Sequence, residues 1–595
     1  MEKDPAADRP WLRVYGDLPA DIAVPDQTMY ERLAETSAAF PTSTALIYFG
    51  RRISFGSLLA DIDRCAAALT AHGVQAGDSV TISMPNVPNA VVMFYALNRV
   101  GARAVMTHPL SSPTELAHYL SETGSRWAVT MDMFYGRFRD ILADSPVERL
   151  LIGQFSDYLS STKKLGFMVT KGRKIDPVPT DDPRIVKWND FMYPEGWQGT
   201  AVAASAKLWP GLSKPASGDP YTRTIDPDAT SVILFSGGTT SMPKGIELTS
   251  SNFNALAVSM KAITGLTVGH SVLAILPVFH GFGLGLCIHT ALTGGASSIL
   301  VPEFSAKIYI DNLIKHEPSY IAGVPTLFQA LLAHPKFSKV SFANLRGAYS
   351  GGDSLSAGLK HRFDAAIAAQ GSKVELMEGY GLTECVTACT VSPSHKYRED
   401  SIGVPIPGML VKIVDAHTAE DVACGDEGEI CVAGPTLMNG YLNEPDATAD
   451  TLRVHADGRT WLHTGDIGKM DADGYLYFRG RQKRIIKVSG VSVYPAQVEQ
   501  VLEAHASVRR ACVIGTPDDY QISSVKAFVV LAEGVAEDSR TRDELLAHCR
   551  KHLMKWAVPR SIEFRAELPT TLVGKIAYTQ LEQEELAARV AEQAG

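Results

Sequence analysis

The stretch LFSGGTTSMPKGIELT, from Leu234 to Thr249, places hydroxyl side chains, glycines and one lysine in a single loop after an apolar run. Glycine lets backbone N–H groups approach an anion closely, hydroxyl groups donate hydrogen bonds, and lysine adds positive charge. The residues of these three kinds are Gly237, Gly238, Ser236, Thr239, Thr240, Ser241 and Lys244. The pattern predicts a phosphate-holding loop for a nucleoside triphosphate, and a Gly/Ser-rich surface turn is the alternative.

This loop is not a Walker A motif. That motif requires Gly-Lys followed by Ser or Thr, whereas Lys244 lies between Pro243 and Gly245. A nucleotide bound here would therefore be held by a different loop geometry.

Composition excludes several classes of function. The 595 residues are 45% hydrophobic and 20% charged, which predicts a globular chain with more than one domain. A formal net charge of -9 argues against nucleic-acid binding, which needs a basic surface. The eight cysteines are scattered without a C-x-x-C pair, so we expect reduced thiols and no structural zinc.

The first ten residues lack the apolar segment of a secretory signal, which predicts a cytoplasmic protein. From Ala262 to Pro302 the chain contains no Asp, Glu, Lys or Arg, so a membrane span has to be considered. Three histidines, Pro277 and the series Gly281-Phe-Gly-Leu-Gly285 interrupt this run, and we expect the glycines to break any helix there. Buried strand, loop and helix are the preferred interpretation.

Apolar β-rich runs alternate with helical patterns through the first 400 residues. Ser79–Ser83, a helical stretch from Ala90 to Val100, and Ala104–Met106 have the spacing of a βαβ unit. The same alternation recurs in runs near residues 231–235, 272–276, 298–301 and 320–324. It predicts an α/β architecture with buried parallel strands.

After about residue 400 the pattern changes to short strands separated by Gly and Asp turns, as at Gly428–Ala433. From about Gln482, strands again mix with helices, at Pro495–His505 and Arg542–Met554. We therefore expect a large N-terminal domain, residues 1–482, with two α/β sheets and a β-rich subdomain. A smaller, mobile α+β domain, residues 483–595, would follow.

Four further clusters carry polar groups at spacings that mean little in isolation. They are Gly379-Tyr-Gly-Leu-Thr-Glu384, Thr464-Gly-Asp466, Gly480-Arg-Gln-Lys483 and Pro569-Thr-Thr-Leu-Val-Gly-Lys575. Taken one at a time they are typical of a strand-to-loop corner, a tight turn, a solvated charge run and an exposed lysine. Together with the 236–245 loop, in this order, they form a specific set.

This set resembles the adenylate-forming superfamily, which includes acyl-CoA synthetases, firefly luciferase and the adenylation domains of peptide synthetases. The resemblance extends from about Trp11 to Leu581. The opening Pro10-Trp-Leu-Arg-Val-Tyr15 and the insertion beginning at Phe155 are similar to bacterial long-chain fatty acid CoA ligases.

The resemblance implies an ATP- and Mg²⁺-dependent reaction in two steps. A carboxylate would attack the α-phosphate of ATP to give acyl-AMP and pyrophosphate, and the thiol of coenzyme A would then displace AMP. Both steps develop anionic charge, so such a site needs oriented cations and hydrogen-bond donors more than a nucleophile.

The resemblance also implies roles for individual residues. Catalytic roles would fall to Lys575, Lys244, Thr383 and His280, and metal binding to Glu384 and Thr239. Contacts to ATP or coenzyme A would come from Ser236, Gly237, Gly238, Thr239, Thr240, Ser241, Lys244, Gly351, Gly352, Gly379, Tyr380, Gly381, Thr383, Asp466, Arg481, Lys487 and Gly490. Within that set, Tyr380 would stack on adenine, Asp466 would accept from the ribose hydroxyls, and Lys483 would be the hinge.

Two positions depart from the family pattern. Ser241 stands where the family loop usually has glycine, which puts phosphate affinity in question. Arg484 stands where an acidic residue commonly follows the hinge lysine. The sequence leaves open how this change affects domain rotation.

The substrate is read from Leu276-Pro-Val-Phe-His-Gly-Phe-Gly-Leu-Gly285, where the family places acyl-pocket residues. Amino-acid-selecting relatives put an aspartate after the phenylalanine to pair the substrate ammonium, because an unpaired buried charge is costly. His280 stands at that place, and Gly281, Gly283 and Gly285 would leave room for a long chain. A hydrogen-bonded core histidine is the alternative for His280.

A medium- to long-chain fatty acid is therefore the expected substrate, with coenzyme A as acceptor. A ligase that delivers acyl-AMP to a carrier protein, an aryl-CoA ligase and a non-catalytic acyl or nucleotide sensor stay open. Residues 163–174 combine five basic with several apolar side chains, which fits either a solvated loop or peripheral contact with an anionic membrane.

Overall fold

The computed structural model describes residues 9–160, 163–164, 178–179, 181–194, 225–236, 243–303, 305–488, 491–518, 522–571 and 575–594. Within them the chain forms two large mixed sheets, a smaller antiparallel sheet, and a C-terminal sheet with an accompanying hairpin. This is the α/β architecture with a β-rich subdomain and a smaller α+β C-terminal part that the sequence predicts.

The first large sheet has eight strands among the described residues. In spatial order they are Gly440–Tyr441, Gly245–Thr249, Thr230–Phe235, Arg103–Met106, Ser79–Ser83, Trp127–Met131, Arg149–Gly153 and Ile185–Lys187. The inner strands are parallel, and Gly245–Thr249 returns antiparallel to Thr230–Phe235. The predicted phosphate loop therefore connects two neighbouring strands of this sheet.

The second large sheet has nine strands in the described chain. In spatial order they are Val404–Pro405, Thr390–Val391, Leu376–Tyr380, Gly347–Gly351, Tyr320–Gly323, Ser271–Ala274, Ser297–Leu300, Thr44–Tyr48 and Arg51–Ser54. Gly347–Gly351 and Leu376–Tyr380 run parallel, so their carboxyl ends lie side by side. In sheets of this kind ligands bind beyond the carboxyl ends of the strands.

The antiparallel sheet contains Leu410–Val414, Gly428–Ala433, Thr460–Met470, Leu452–Val454 and Leu476–Arg481. Thr464-Gly465-Asp466 is not a separate tight turn, as the sequence suggested, but lies inside the strand Thr460–Met470. The pairing of Thr460–Met470 with Gly428–Ala433 shifts register between Glu429 and Cys431. The strand Thr460–Met470 therefore bulges at this motif, which changes the direction of its side chains.

The C-terminal part has its own sheet, Val508–Asp518, Ile522–Leu531 and Ser561–Phe564, beside the hairpin Ile486–Val488 and Val491–Val493. Its apolar side chains form a core cluster that runs from Ile486 to Ile562 and is distinct from the large N-terminal cluster. The two long strands, Val508–Asp518 and Ile522–Leu531, pair with each other along their full length.

Helices cover the sheets, and several of them begin at a capping box. Pro113–Thr123, for example, starts with a capping box between Ser112 and Glu115 and ends at Gly124 in the left-handed region. The principal helices are Met29–Ala39, Phe55–Ala71, Pro88–Val100, Pro113–Thr123, Ser250–Thr264, Ala306–His316, Pro325–Leu332, Ala357–Ala369, Pro445–Thr451, Pro495–Glu503, Ser539–His552 and Tyr578–Ala594.

The uncharged run from Ala262 to Pro302 folds as strand, wide π-type helix and strand. The π-helix spans Phe282–Thr290, so the prediction that the glycines break the helix was wrong. Across the residues that the structure describes, no helix is long and apolar enough to cross a bilayer.

Candidate active site

A cavity of about 570 Å³ opens at the carboxyl ends of Gly347–Gly351 and Leu376–Tyr380, next to the end of Thr230–Phe235. The predicted site residues that line it are Ser236, His280, Gly351, Gly352, Gly379, Tyr380, Gly381, Thr383, Glu384, Arg481 and Lys575. Residues from nearly the whole length of the chain thus meet around one space.

The other predicted residues divide into three groups. Lys244 and Asp466 lie just behind the wall, as their contacts below show. Lys487 is exposed on the hairpin strand Ile486–Val488 and does not line the cavity. Gly237, Gly238, Thr239, Thr240, Ser241 and Gly490 lie outside the described residues.

Asp466 carries a carboxylate oxygen without a hydrogen-bond donor among the described residues. The residue is only 2% exposed, and burial raises the pKa of its carboxyl group. Oδ2 accepts a 2.7 Å hydrogen bond from the Tyr380 hydroxyl. Oδ1 lies 3.2 Å from Arg481 Nε but accepts no hydrogen bond there. An orphaned buried acceptor of this kind suits a ligand hydroxyl.

Tyr380 is predicted to stack on adenine, and the structure adds a second contact for it. Its ring lies 6.2 Å from that of Phe478, while its hydroxyl is committed to Asp466. Burial, followed by the Asp466 charge, raises the pKa of Tyr380, so the hydroxyl stays protonated and remains the donor.

Glu429 supports the bulged strand next to Asp466 and was not foreseen from the sequence. One of its carboxylate oxygens accepts from the Gly465 N–H at 2.8 Å, and the other pairs with Nδ1 of His463 at 2.8 Å. The Glu429, His463 and Cys431 ligand atoms lie within 4.8 Å of one another. Because both Glu429 oxygens already accept hydrogen bonds, we interpret the cluster as structural support.

Glu384 lies in a short 3₁₀ turn, Thr383–Cys385, at the cavity wall. Its Oε1 accepts a 2.9 Å hydrogen bond from the Tyr441 hydroxyl, and the Lys244 ammonium lies 5.2 Å from the centre of the Tyr441 ring. Tyr441 therefore connects the end of the phosphate loop to Glu384, a link with no signal in the local sequence.

Lys575 reaches the cavity from the C-terminal part of the chain. Its backbone is held by Thr571, whose Oγ1 accepts from the Lys575 N–H at 3.2 Å. Burial, and then the Arg481 charge, lowers the pKa of its ammonium group. A desolvated cation at the cavity wall, close to Gly352, is arranged to meet an anionic group.

His280 lies against the cavity in one defined tautomer. Its Nδ1 accepts from the Phe282 N–H at 3.2 Å, which leaves Nε2 as the protonated nitrogen. Burial, aided by the Lys575 charge, lowers the pKa of His280 to about 3. The ring is therefore neutral at pH 7 and offers a neutral N–H donor.

The glycines of the 281–285 series do not enlarge the cavity, so that prediction was wrong. A β-carbon on Gly281 would lie 1.6 Å from the Val386 carbonyl oxygen, and one on Gly283 would lie 2.1 Å from the Pro277 oxygen. Both spaces are filled by backbone. Gly281 lets Val386, at φ +64° beside the Thr383–Cys385 turn, approach the start of the π-helix closely, and Gly283 makes room for the Leu276 and Pro277 carbonyls.

We expect Gly281→Ala to destabilise the protein by about 2–3 kcal/mol or more, because overpacking against fixed backbone forces the chain apart. The matched control is Gly136→Ala, whose new β-carbon meets nothing within 4 Å. Thermal unfolding of both variants measures the difference. Equal melting temperatures of the two variants would show that the loop at Val386 shifts without loss of stability.

Arg484, the unusual residue after the proposed hinge, is built into the C-terminal part. Its Nη2 donates to Glu499 at 2.8 Å and to the Val513 carbonyl at 3.1 Å, and its guanidinium lies 4.3 Å from the Tyr578 ring centre. Arginine at this position therefore anchors the chain to the C-terminal part.

Comparison with known proteins agrees with the fold and with the set of motifs. The family model of the AMP-binding enzyme matches residues 33–442, and that of the AMP-binding enzyme C-terminal domain matches residues 497–575. The crystal structure of the anthranilate CoA ligase AuaEII in complex with anthranoyl-AMP has a TM-score of 0.79 at 24% identity, covering 97% of this chain and 99% of the other. This likeness concerns the fold.

Two curated relatives are similar over nearly their whole length. A long-chain-fatty-acid–CoA ligase of Bacillus subtilis (strain 168) is 33% identical over 585 residues, which cover 97% of this chain and 98% of the relative. A long-chain-fatty-acid–CoA ligase of Yersinia pestis is 32% identical over 590 residues, with the same two coverages. The chain belongs to the AMP-binding enzyme family.

Proposed function

We propose that this protein is an ATP-dependent acid–thiol ligase that activates a medium- to long-chain fatty acid as acyl-AMP and transfers the acyl group to coenzyme A. The observation that carries the proposal is the convergence of Lys575 and Glu384 on one cavity, with Asp466 held directly behind its wall by Tyr380. The names of the two full-length relatives support the fatty acid and the coenzyme A acceptor.

Each group at the cavity has a task in this reaction. Lys575 would stabilise the negative charge that develops between the carboxylate and the α-phosphate, because a desolvated ammonium interacts strongly with an anion. Asp466 Oδ1 would accept from a ribose hydroxyl, with Arg481 beside it. Lys244 and the glycine-rich loop after Ser236 would hold the outer phosphates.

A Mg²⁺ ion fits the donor set that the structure describes. The Glu384 carboxylate is a hard oxygen ligand at the cavity wall, and hard oxygen ligands are what Mg²⁺ prefers. Thr239 is the second ligand we propose. When bound, the ion would neutralise phosphate charge, while the Tyr441 hydroxyl keeps the Glu384 side chain oriented.

The acyl chain would lie against the apolar part of the cavity. Met260, Phe282, Leu286, Tyr349 and Val391 contribute to its lining. The His280 Nε2–H would donate to a carboxylate oxygen of the acid without introducing a charge. The sequence between Pro277 and Pro302 contains no acidic residue that could pair a substrate ammonium.

We expect His280→Phe, which keeps a ring but removes the N–H donor, to lower kcat/KM for the acid about tenfold or more, the effect of one hydrogen bond to a charged group at about 1.5 kcal/mol or more. The variant should leave the pH dependence between pH 6 and 9 unchanged, because His280 with a pKa of about 3 does not titrate there. Initial rates across this range test both statements. A shift of the acidic limb in the variant would show that His280 carries a proton in turnover.

We further propose that the domains meet at 482/483 and that Lys483, in the 3₁₀ turn Gln482–Arg484, is the hinge. Rotation about it would replace the Lys575 face with the hairpin that carries Lys487 and Gly490, which would then meet coenzyme A. The exposure of Lys487 in this orientation agrees with a residue that acts only after rotation. Peripheral contact with a membrane through residues 163–174, most of which lie outside the described chain, is a separate proposal.

The substrate prediction is tested by kcat/KM for acetate, octanoate, palmitate, benzoate and an amino acid, with and without coenzyme A. We expect activity to rise with chain length, since each buried methylene contributes about 0.8 kcal/mol. A preference for benzoate indicates an aryl-CoA ligase, and acyl-AMP formation without coenzyme A consumption indicates a carrier-protein ligase. If no acid in the panel leads to pyrophosphate release, the protein is a non-catalytic sensor.

A further inference from the structure

The loop that follows the strand Gly347–Gly351 contacts the C-terminal part twice. A β-carbon on Gly352 would lie 3.5 Å from Lys575 Cε, and the next residue, Asp353, places Oδ2 3.4 Å from Arg510 Nη2. Asp353 is pre-oriented, because its Oδ1 accepts from the Ser354 N–H at 3.0 Å. One short loop therefore meets both the Lys575 side chain and a charged partner.

Arg510 is held rigidly on its side of this contact. Its side chain is 13% exposed, and it lies on the strand Val508–Asp518. The adjoining backbone is fixed by two carboxylates: Glu503 accepts from the Ala511 N–H at 3.1 Å and Glu499 from the Val513 N–H at 2.8 Å. Glu503 is the other acidic group facing Arg510, and burial raises its pKa to about 7.

Arg510 and Lys575 belong to one packed body. The strand that carries Arg510 contributes Cys512 and Ile514 to a core cluster, and Ile576, next to Lys575, packs against that same cluster. A hydrogen bond from Gln329 Nε2 to the Arg509 carbonyl, at 3.1 Å, adds a second tie between the N-terminal part and this strand.

We propose that the Asp353–Arg510 ion pair is a positioning latch, which holds the C-terminal part in the orientation that inserts Lys575 into the cavity. This inference rests on the proposed two-step reaction. The pair would form for adenylation and separate when the hairpin with Lys487 replaces Lys575. Neither residue lines the cavity, so the latch acts through Lys575.

The test is a charge swap with the two half-reactions assayed separately. Asp353→Arg and Arg510→Asp should each lower acid-dependent pyrophosphate release about three- to tenfold, the scale of one partly buried ion pair. Thioester formation from supplied acyl-AMP should stay at the wild-type rate or rise. The double variant should recover most of the lost adenylation. Asp353→Asn, which keeps the side-chain shape but removes the charge, should also lower acid-dependent pyrophosphate release.

Arg509→Asp is the matched control, because it reverses a charge at the neighbouring, exposed position whose backbone carbonyl, not side chain, meets Gln329. It should leave both half-reactions unchanged, and melting curves confirm folding of every variant. Unchanged adenylation in both single swaps, equal loss of both half-reactions, or no recovery in the double variant would each overturn the latch. If the double variant does not recover adenylation, Asp353 acts instead through the effect of its charge on Lys575.

The wild-type acid panel separates this inference from the proposed function. The latch is assayed with whichever acid the wild-type protein adenylates best. If that acid is not fatty, the substrate proposal fails while the swap still tests the latch. If the fatty acid is the best substrate and the swap has no effect, only the latch fails.

Discussion

Lys575→Ala should lose adenylation activity by several hundred-fold, while thioester formation from supplied acyl-AMP should change little. A preorganised cation at the site of developing charge contributes on the order of 3–4 kcal/mol to transition-state stabilisation. The structure favours the upper part of this range, because Lys575 is desolvated before substrate arrives and burial already lowers the pKa of its ammonium group. Water that enters the site of the alanine variant is therefore a poor replacement for the Lys575 ammonium group.

The control for this prediction is Lys555→Ala, which removes an exposed lysine from the same C-terminal part. It should leave both half-reactions at wild-type rates. Pyrophosphate release and acyl-AMP consumption are measured in parallel, with melting curves for both variants. Equal loss of both half-reactions in folded Lys575→Ala would contradict the proposal that this lysine serves one step and leaves the site for the other.

Glu384→Gln should reduce ATP-dependent turnover about a hundredfold or more at low Mg²⁺, because the amide keeps the shape but removes the charge that holds a hard cation. Part of the loss should be recovered by raising the Mg²⁺ concentration. Removing the charge does not remove the Tyr441 contact, since a glutamine oxygen still accepts from that hydroxyl. The fold should therefore survive.

Tyr441→Phe separates orientation of Glu384 from its charge. It deletes the 2.9 Å hydrogen bond and keeps the ring that lies under the Lys244 ammonium. We expect a loss of roughly tenfold or less, the scale of one hydrogen bond to a charged group at about 1.5 kcal/mol. Titrations of rate against Mg²⁺ check both variants. If Glu384→Gln stays within a few-fold of wild type at low Mg²⁺, the metal assignment is wrong.

The meeting of the Ser236, Gly351 and Gly379 segments could be predicted from the sequence because each of them ends or follows a strand. Gly351 and Gly379 lie at the carboxyl ends of neighbouring parallel strands of the second large sheet, and Ser236 directly follows a strand of the first large sheet. The βαβ order of the first 400 residues follows from the alternation of apolar runs with helical periodicity, which local chemistry alone determines.

Contacts between elements that are far apart in the chain were missed. Glu429 is a single acid in an apolar strand, and only the register of Gly428–Ala433 against Thr460–Met470 shows that it supports the Gly465 N–H. Gly281 was misread for a similar reason. Its partner, the Val386 carbonyl, lies about a hundred residues later, and no local pattern indicates that backbone will occupy the space.

The central claim is that the carboxylate attacks the α-phosphate of ATP before the thiol enters. Palmitate labelled with ¹⁸O in both carboxylate oxygens, incubated with the protein, ATP, Mg²⁺ and coenzyme A, tests it directly by mass spectrometry of the products. The account predicts one ¹⁸O atom in AMP, one in the coenzyme A thioester, and unlabelled pyrophosphate. Label in inorganic phosphate with ADP as the nucleotide product, or AMP without label, would contradict it.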